Sequence, residues 1–185
     1  MSEDVIQYEL DLEGDCVRVI ENNHEKGNNM NEPLVGFQDN SGKIVGHLHC
    51  VLKDEVTGEI KQEFDIENLV VTTGKTWLAK RLAAESVNEM THMAVGTSST
   101  SPSAGDTALI GTELGRVAFD SKNRSANAVT MIATFPAGTA TGTLNEAGIF
   151  DGSSGTTMLS RVAFAGPVTK GASDSFQVTW TVTMT

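Results

Sequence analysis

The sequence predicts a mainly β protein: an antiparallel β-sandwich of the jelly-roll type, with one short α-helix and an N-terminal hairpin or arm. Three observations along the 185-residue chain support this fold class. Short stretches alternate apolar with polar residues, which is the period of a half-buried strand. Turns rich in Gly and Ser separate these stretches at regular intervals, and a single segment has helical spacing. Short strands at such intervals are typical of β-sandwiches, in which sequence neighbours pair antiparallel.

The clearest strand is the stretch at residues 176–185, FQVTWTVTMT. Successive side chains of a strand point to opposite faces, so one face is apolar and the other carries threonines. A large apolar side chain contributes roughly 1.5–3 kcal/mol when fully buried. The expected core residues are Phe176, Val178, Trp180, Val182 and Met184. The other face is expected to meet solvent or a neighbouring chain, with Thr179, Thr181 and Thr183 as candidate interface residues.

The N-terminus predicts a hairpin, because a second alternating stretch at 5–12 precedes a Gly-containing turn and a returning strand. Residues 21–33 are rich in Asn and charge and show no period, which is typical of a linker. A two-stranded hairpin is at best marginally stable alone, so it is expected to pack on the body or on another chain. We therefore divide the chain into a docking arm, 1–33, and a β-sandwich body, 34–185. The candidate interface residues of the arm are Ile6, Tyr8, Leu10 and Leu12.

The body is predicted to contain seven further strands, at 44–53, 59–71, 90–96, 116–120, 128–135, 144–151 and 158–164. One helix is expected near residues 75–86, capped by Thr72 or Thr73 at its start. Its apolar stripe is expected to face the core, with the members Trp77, Leu78, Leu82 and Ala79. The small polar residues at 97–107 predict a surface loop.

The formal net charge of −11 is unevenly distributed. Residues 1–67 hold 16 Asp or Glu and 5 Lys or Arg, whereas residues 68–185 hold 8 of each sign. An acidic segment repels phosphate backbones, so nucleic-acid binding is not expected. The acidic excess either solvates the surface or steers this segment to a basic partner. No apolar run approaches 18 residues, and the acidic N-terminus lacks a basic-then-apolar pattern, so neither a membrane span nor a secretory signal is expected.

The sequence contains only incomplete versions of a phosphate-binding loop and of a zinc site. Gly74-Lys75-Thr76 matches the end of a phosphate-binding loop, but the glycine that this loop needs at position 69 is a leucine. His47 and His49 share a strand face, yet zinc needs three or four ligands. The remaining candidates follow no metal-site spacing, and they are Glu59, Glu63 and His24. A half-exposed strand face is the favoured interpretation, and no metal or other cofactor is expected.

The remaining polar candidates also favour structural roles. No serine lies in a G-x-S-x-G elbow, and Glu146 is expected to accept backbone hydrogen bonds inside the sandwich. Cys16 and Cys50 are expected to be reduced, partly buried thiols, although a pairing between them stays open. The sequence therefore predicts a protein that is not an enzyme.

Five blocks of sequence combine into a longer pattern: NLVVTTGKTWLAKRLA, MTHMAVGTSST, GDTALIGTELGRVAFDS, ATFPAGTATGTLNEAGIFDGSSGTTMLSRVAF and VTKGASDSFQVTWTVT. In this order they resemble the β-sandwich region of tailed-bacteriophage virion proteins of the tail-fibre, head-fibre or capsid-decoration type. The resemblance covers about 68–185, and more loosely 36–67, and its most specific pieces are HMAVGT, TELGRVA and NEAGIFD followed by GTTMLSRVAF. Residues 1–33 lie outside it.

The resemblance implies a non-enzymatic structural protein of a virion, assembled in the host cytoplasm. It implies a homo-oligomer, with a trimer favoured, and a partner that is the phage major capsid protein or another virion protein. A capsid decoration or cement protein is the first expectation. A tail or collar appendage that meets host-surface sugars is an alternative. A free carbohydrate-binding module or hydrolase is a further one, which needs exposed aromatic residues in a chain with two Trp and one Tyr.

Overall fold

The computed structural model describes residues 43–185 and the backbone of two short strands near the N-terminus, 7–10 and 16–20. The chain divides into two units, Met1–Asn40 and Ser41–Thr185. In the first unit, β1 (Gln7–Leu10) pairs antiparallel with β2 (Cys16–Ile20). Strand pairing of the kind expected for the hairpin is therefore present.

The second unit, the body, contains nine strands and one helix within its described residues. The helix is α1 (Thr72–Leu82). The strands are β3 (Ile44–Asp54), β4 (Ile60–Val70), β5 (His92–Gly96), β6 (Glu113–Ala118), β7 (Ser121–Ser125), β8 (Ala128–Phe135), β9 (Gly142–Phe150), β10 (Met158–Lys170) and β11 (Asp174–Met184). All pair antiparallel in one sheet of order β6-β5-β9-β10-β4-β3-β11-β8-β7. The prediction of a mainly β, antiparallel fold with one short helix is confirmed.

The sheet curls back on itself. β6 and β7 lie at opposite ends of the strand order, yet only Phe119 and Asp120 separate them along the chain. The amide of Phe119 donates to the carbonyl of Thr91, just before β5, at 2.9 Å. The amide of Asp120 donates to the carbonyl of Ile132 in β8 at 2.7 Å. Two consecutive residues thus link the two ends of the sheet, which therefore lie close together.

We name two halves of this curled sheet. The β11 half consists of β4, β3, β11, β8 and β7, and the β9 half consists of β6, β5, β9 and β10. They join where β10 meets β4, through the two residue pairs Ser160–Val70 and Arg161–Leu69. The short junction lets the sheet turn there, so that both halves can face one core.

The core contains apolar side chains from both halves. Phe164 of β10 packs edge-on against Phe64 of β4, with ring centroids 5.5 Å apart, and against Phe176 of β11 at 5.9 Å. Edge-to-face contacts are a favoured geometry for aromatic pairs. The expected apolar face of the terminal strand is buried at Phe176, Val178, Trp180 and Val182, whereas Met184 is 46% exposed. β11 lies between β3 and β8, so it is an inner strand rather than an edge.

The helix differs from its prediction in position and in packing. It begins at Thr72, and the capping prediction is wrong: Val71 is the N-cap, without a side-chain hydrogen bond. The hydroxyl of Thr73 donates instead to the carbonyl of Met158, at 2.9 Å. The helix ends at Leu82, and Ala84 follows with a left-handed φ of 56°.

The predicted apolar stripe of the helix is correct for Trp77 and Leu78, which pack against the core, and wrong for Ala79 and Leu82. Gly74 is its one buried residue, and a Cβ there would lie 2.0 Å from the carbonyl oxygen of Leu159. Trp77 and Leu78 are half-buried, Ala79 is exposed and Leu82 is 90% exposed. The helix therefore docks by a close backbone contact near its N-terminus and by the partial burial of Trp77 and Leu78, and its last turn extends away from the core.

Candidate functional site

The outer face of the β11 half carries the threonines that the sequence selected as interface residues. Thr179, Thr181 and Thr183 are half-buried. In the ladder, Thr181 lies opposite His47 on β3 and Thr130 on β8, and its hydroxyl oxygen is 3.0 Å from that of Thr130. Since β11 has a strand on each side, a partner would meet this face through side chains and would not add a strand to β11. The role of these threonines in an interface stays a prediction.

Histidines and carboxylates lie beside the threonines on the same face. Nδ1 of His49 is 3.1 Å from Oδ1 of Asp65, and its Nε2 is 3.3 Å from Oε1 of Glu63. Nε2 of His47 is 3.5 Å from the same Asp65 oxygen. In the part of the chain that the structure describes, no group of three or more His, Cys, Asp or Glu side chains is arranged to hold a metal. The histidines thus lie on an exposed strand face and pair with the acidic β4.

The end of the β11 half is held by a lysine between two aspartates. The ammonium of Lys61 lies 2.6 Å from Oδ1 of Asp174 and 2.9 Å from Oδ2 of Asp54. Its hydrogen bond, with those from two backbone amides, lowers the pKa of Asp54 from 3.8 to about 2. The pKa of Asp174 is also lowered, and the same bonds raise that of Lys61. The cluster ties the start of β11 to the β3–β4 hairpin.

Lys170 anchors the turn between β10 and β11 from inside. Its buried ammonium donates to the carbonyl of Pro136 at 2.9 Å and to that of Asp174 at 2.5 Å. Burial lowers the pKa of Lys170, because removal from water disfavours the charged form.

The outer face of the β9 half is organised around Glu146, a fully buried carboxylate on β9. It accepts backbone N–H bonds from Gly111 at 2.7 Å, Ile110 at 3.0 Å and Ser98 at 3.1 Å. The expectation that Glu146 accepts backbone hydrogen bonds is confirmed. Nε of Arg161 donates to its second oxygen at 2.8 Å. Charge-assisted bonds of this kind make burial of a carboxylate tolerable.

Arg161, fully buried on β10, extends this network to the segment 97–112, which we call the covering loop. It donates to Oδ2 of Asp106 and to the carbonyl of Thr100, both at 2.9 Å. Leu109 of the loop packs against a second small core, formed by Val71, Ala94, Phe150 and Met158. The predicted surface loop at 97–107 is therefore part of a segment tied to the sheet. The bonds of Glu146 and Arg161 go to one another and to the loop, which is a structural arrangement.

Trp77 on α1 lines a cavity on the surface of the body. The cavity, of about 470 Å³, lies between α1, the segment after it and the β9–β10 turn. The lining residues are Thr72, Thr73, Thr76, Trp77, Lys80, Ser86, Val87, Asn88, Asp151 and Thr157. Trp77 packs in part against the core, as the sequence predicts, but the helical pattern did not predict the cavity that it also lines. The available signal was the helical spacing, because polar Thr73 and Lys80 lie four and three positions from Trp77 and therefore share its side of the helix.

The cysteine on β3 is not a reactive group. Cys50 is a free thiol with no exposed surface. Burial, together with the charge of Asp65, raises its pKa to about 12. The thiolate is the reactive form of cysteine, so Cys50 behaves as a small core residue.

Comparisons of the chain with protein-family models, with curated proteins and with solved structures found no match. Over the described residues, no helix has the length and apolar character needed to cross a membrane. We therefore infer function from the geometry of the described residues and from the resemblance of the sequence blocks.

Proposed function

We propose that the protein is a non-enzymatic structural protein of a bacteriophage virion, a capsid decoration protein that binds the coat-protein shell. The observation that carries the proposal is the division of the chain into two units of different charge. Met1–Asn40 holds 10 acidic and 2 basic residues, whereas Ser41–Thr185 holds 14 and 11. A chain with a small acidic unit and a larger, nearly balanced one is suited to attachment by the first and display of the second.

The body supports this proposal through the way its polar groups are used. Glu146 and Arg161 are engaged in holding the covering loop, and Lys61 is engaged with two aspartates. In this proposal these groups stabilise a surface. The sequence blocks that resemble virion proteins lie in this same body.

The arm is proposed as the docking element. Its acidic charge would steer it towards a basic surface on the capsid, and such steering weakens as salt screens the charges. The outer face of the β11 half, with Thr179, Thr181 and Thr183, is the proposed contact between copies, with a trimer as the favoured state.

The test compares the full chain with a variant that lacks residues 1–33, each mixed with phage particles that lack the protein. We expect the full chain to bind, its occupancy to fall with rising salt, and the shortened chain to stay folded but unbound. A matched control keeps the arm and exchanges two of its acidic residues, Glu9→Gln and Asp11→Asn, which should weaken binding without abolishing it.

Two outcomes would contradict the proposal. Full occupancy by the shortened chain would mean that the body makes the capsid contact. A copy number of a few dozen or fewer per particle would indicate a tail or collar appendage, because a decoration protein is present in hundreds of copies.

A further inference from the structure

We infer that the cavity beside Trp77 is a binding site for a neutral sugar ring. Its volume of about 470 Å³ lies in the range of small-molecule sites, roughly 300–1,000 Å³. It is open to solvent, and three elements border it: α1, the segment 86–88 and the β9–β10 turn. This inference does not depend on the proposed virion role, because it concerns the protein free of particles.

Trp77 provides the apolar surface of the site. The other tryptophan, Trp180, is fully buried in the core, so Trp77 is the one indole of the body that a ligand can reach. Its Nε1 donates to the carbonyl of Asn88 at 2.7 Å, which fixes the ring and the segment together. The guanidinium of Arg81 lies 5.4 Å over the ring and the indole also packs in part against the core, so only the remaining part of the ring lines the cavity. The electron-rich face of an indole attracts the partly positive C–H groups of a sugar.

The polar groups around the indole can both donate and accept. Oδ1 of Asp151 accepts the amide of Thr157 at 3.1 Å, whereas its other oxygen bonds to no donor within residues 43–185. In the same range Lys80 forms no ion pair, and the hydroxyl of Thr76 has no hydrogen-bond partner. A hydroxyl of a sugar donates one hydrogen bond and accepts others. It can therefore donate to the carboxylate of Asp151 and accept from the ammonium of Lys80 or the hydroxyl of Thr76.

The charges of the lining residues favour a ligand without net charge. The lining holds one cation, Lys80, and one anion, Asp151, so the two formal charges cancel. A phosphate or carboxylate ligand would bring its charge to both of them. The larger cavity beside Arg116, about 680 Å³, differs because that guanidinium is already bound by Glu113 and by the carbonyls of Gly152 and Gly155.

The experiment titrates the full chain with glucose, galactose, mannose and N-acetylglucosamine, and separately with inorganic phosphate as an anion probe. The readout is tryptophan fluorescence, in which buried Trp180 supplies a constant background. We expect a saturable change with at least one of the sugars and none with phosphate. The Trp77→Phe variant lacks the reporting indole, so its binding is measured by calorimetry, in which it should be weaker than that of the wild type.

Three further variants test the site by calorimetry with the sugar that binds. Thr76→Val removes one exposed hydroxyl and should weaken binding about 2- to 10-fold, the effect of one neutral hydrogen bond. Asp151→Asn keeps the Oδ1 acceptor for Thr157 and should also weaken binding. The control, Thr169→Val, makes the same exchange at an exposed position of β10 that does not line the cavity and should bind as the wild type does.

The inference is overturned if none of the four sugars gives a saturable response, or if phosphate alone does. It is also overturned if Thr76→Val and Asp151→Asn both bind as tightly as the wild type. Should one of these two variants fail to fold, as judged by circular dichroism, the other one decides. Particle binding by the full chain is measured independently, so a negative sugar titration leaves the decoration proposal unaffected.

Discussion

The two halves of the sheet share one core but differ on their outer faces. In the β9 half, the covering loop packs over the strands, and Glu146 and Arg161 are fully buried beneath it. In the β11 half, the outer face is half-buried to exposed and carries threonines, histidines and carboxylates. The same antiparallel architecture therefore has a covered side and an open side.

This contrast indicates where polar residues matter for stability and where they are free for contacts. A buried charge depends on its partners, because removing one partner leaves the other without water or a counter-charge. A polar group on an open face that loses its partner can form a hydrogen bond with water instead. We therefore expect large stability effects from charges under the covering loop and small ones from the threonine face.

The largest effect is expected from Arg161→Met, which leaves Glu146 buried without its cation. Breaking a buried ion pair from one side costs about 3–5 kcal/mol, and the covering loop should loosen with it. Urea unfolding measures the loss, and hydrogen exchange at the amides of Ser98 and Gly111 locates it. The control is Arg124→Met, an exposed position on β7, which should change the free energy of unfolding by less than about 0.5 kcal/mol. Equal effects of the two substitutions would contradict the comparison.

The next effect concerns the helix that docks on β10 of the covered side. Gly74→Ala places a Cβ 2.0 Å from the carbonyl oxygen of Leu159, and such overpacking costs about 1–3 kcal/mol. Alanine favours the helical state by up to about 1 kcal/mol over glycine, which offsets part of this. We expect a net loss in urea unfolding. Gly166→Ala is the control, because no heavy atom beyond its two chain neighbours lies within 4 Å of its added Cβ. A Gly74 variant as stable as this control would refute the backbone contact.

A pH effect is expected at the Lys61 cluster of the open half. The pKa of Asp54 is lowered from 3.8 to about 2, and that of Asp174 is lowered too. A carboxyl group with a lowered folded-state pKa stabilises the fold fully above its unfolded pKa, and this contribution is lost as pH falls through the folded value. The wild type should therefore lose stability between pH 3.8 and about 2. Lys61→Met should lose less over this interval.

The measurement for the cluster is the urea midpoint at a series of pH values. The raised pKa of Lys61 adds a second expectation, since its contribution is present below pH 10.5 and is lost as pH rises through the folded value. Lys75→Met, at an exposed helix position, serves as the control and should keep the acid slope of the wild type. Identical acid slopes for all three proteins would show that Lys61 does not stabilise the aspartates.

Local periodicity was enough to predict part of the fold. The alternation in β11 placed Trp180 in the core correctly, and the residue types around Glu146 indicated a hydrogen-bonded carboxylate. Periodicity failed at the end of the helix, where it placed Leu82 in the core although that side chain is 90% exposed, and it did not predict the close contact of Gly74 with Leu159. The curl of the sheet and the cavity at Trp77 depend on segments far apart in sequence, which period and composition do not encode.

The smallest effect is expected on the open face. Thr181→Val removes the hydroxyl that lies 3.0 Å from that of Thr130, but water can reach this half-buried position and valine suits a strand at least as well. The free energy of unfolding should change by less than about 0.5 kcal/mol. Sedimentation of the same variant tests the proposed contact between copies, where a shift from oligomer to monomer is expected.

The matched control for this last prediction lies one residue further along the same strand. Val182 is 5% exposed and faces the core, so Val182→Thr is the reverse exchange at a covered position. It buries a hydroxyl, and an unpaired buried polar group costs about 1–3 kcal/mol. Val182→Thr should therefore lower the free energy of unfolding clearly more than Thr181→Val does. Thr181→Val should instead weaken the association between copies. A loss above about 1 kcal/mol for Thr181→Val would mean that its face is covered in the folded monomer, and the threonines would then be structural residues instead of a contact surface.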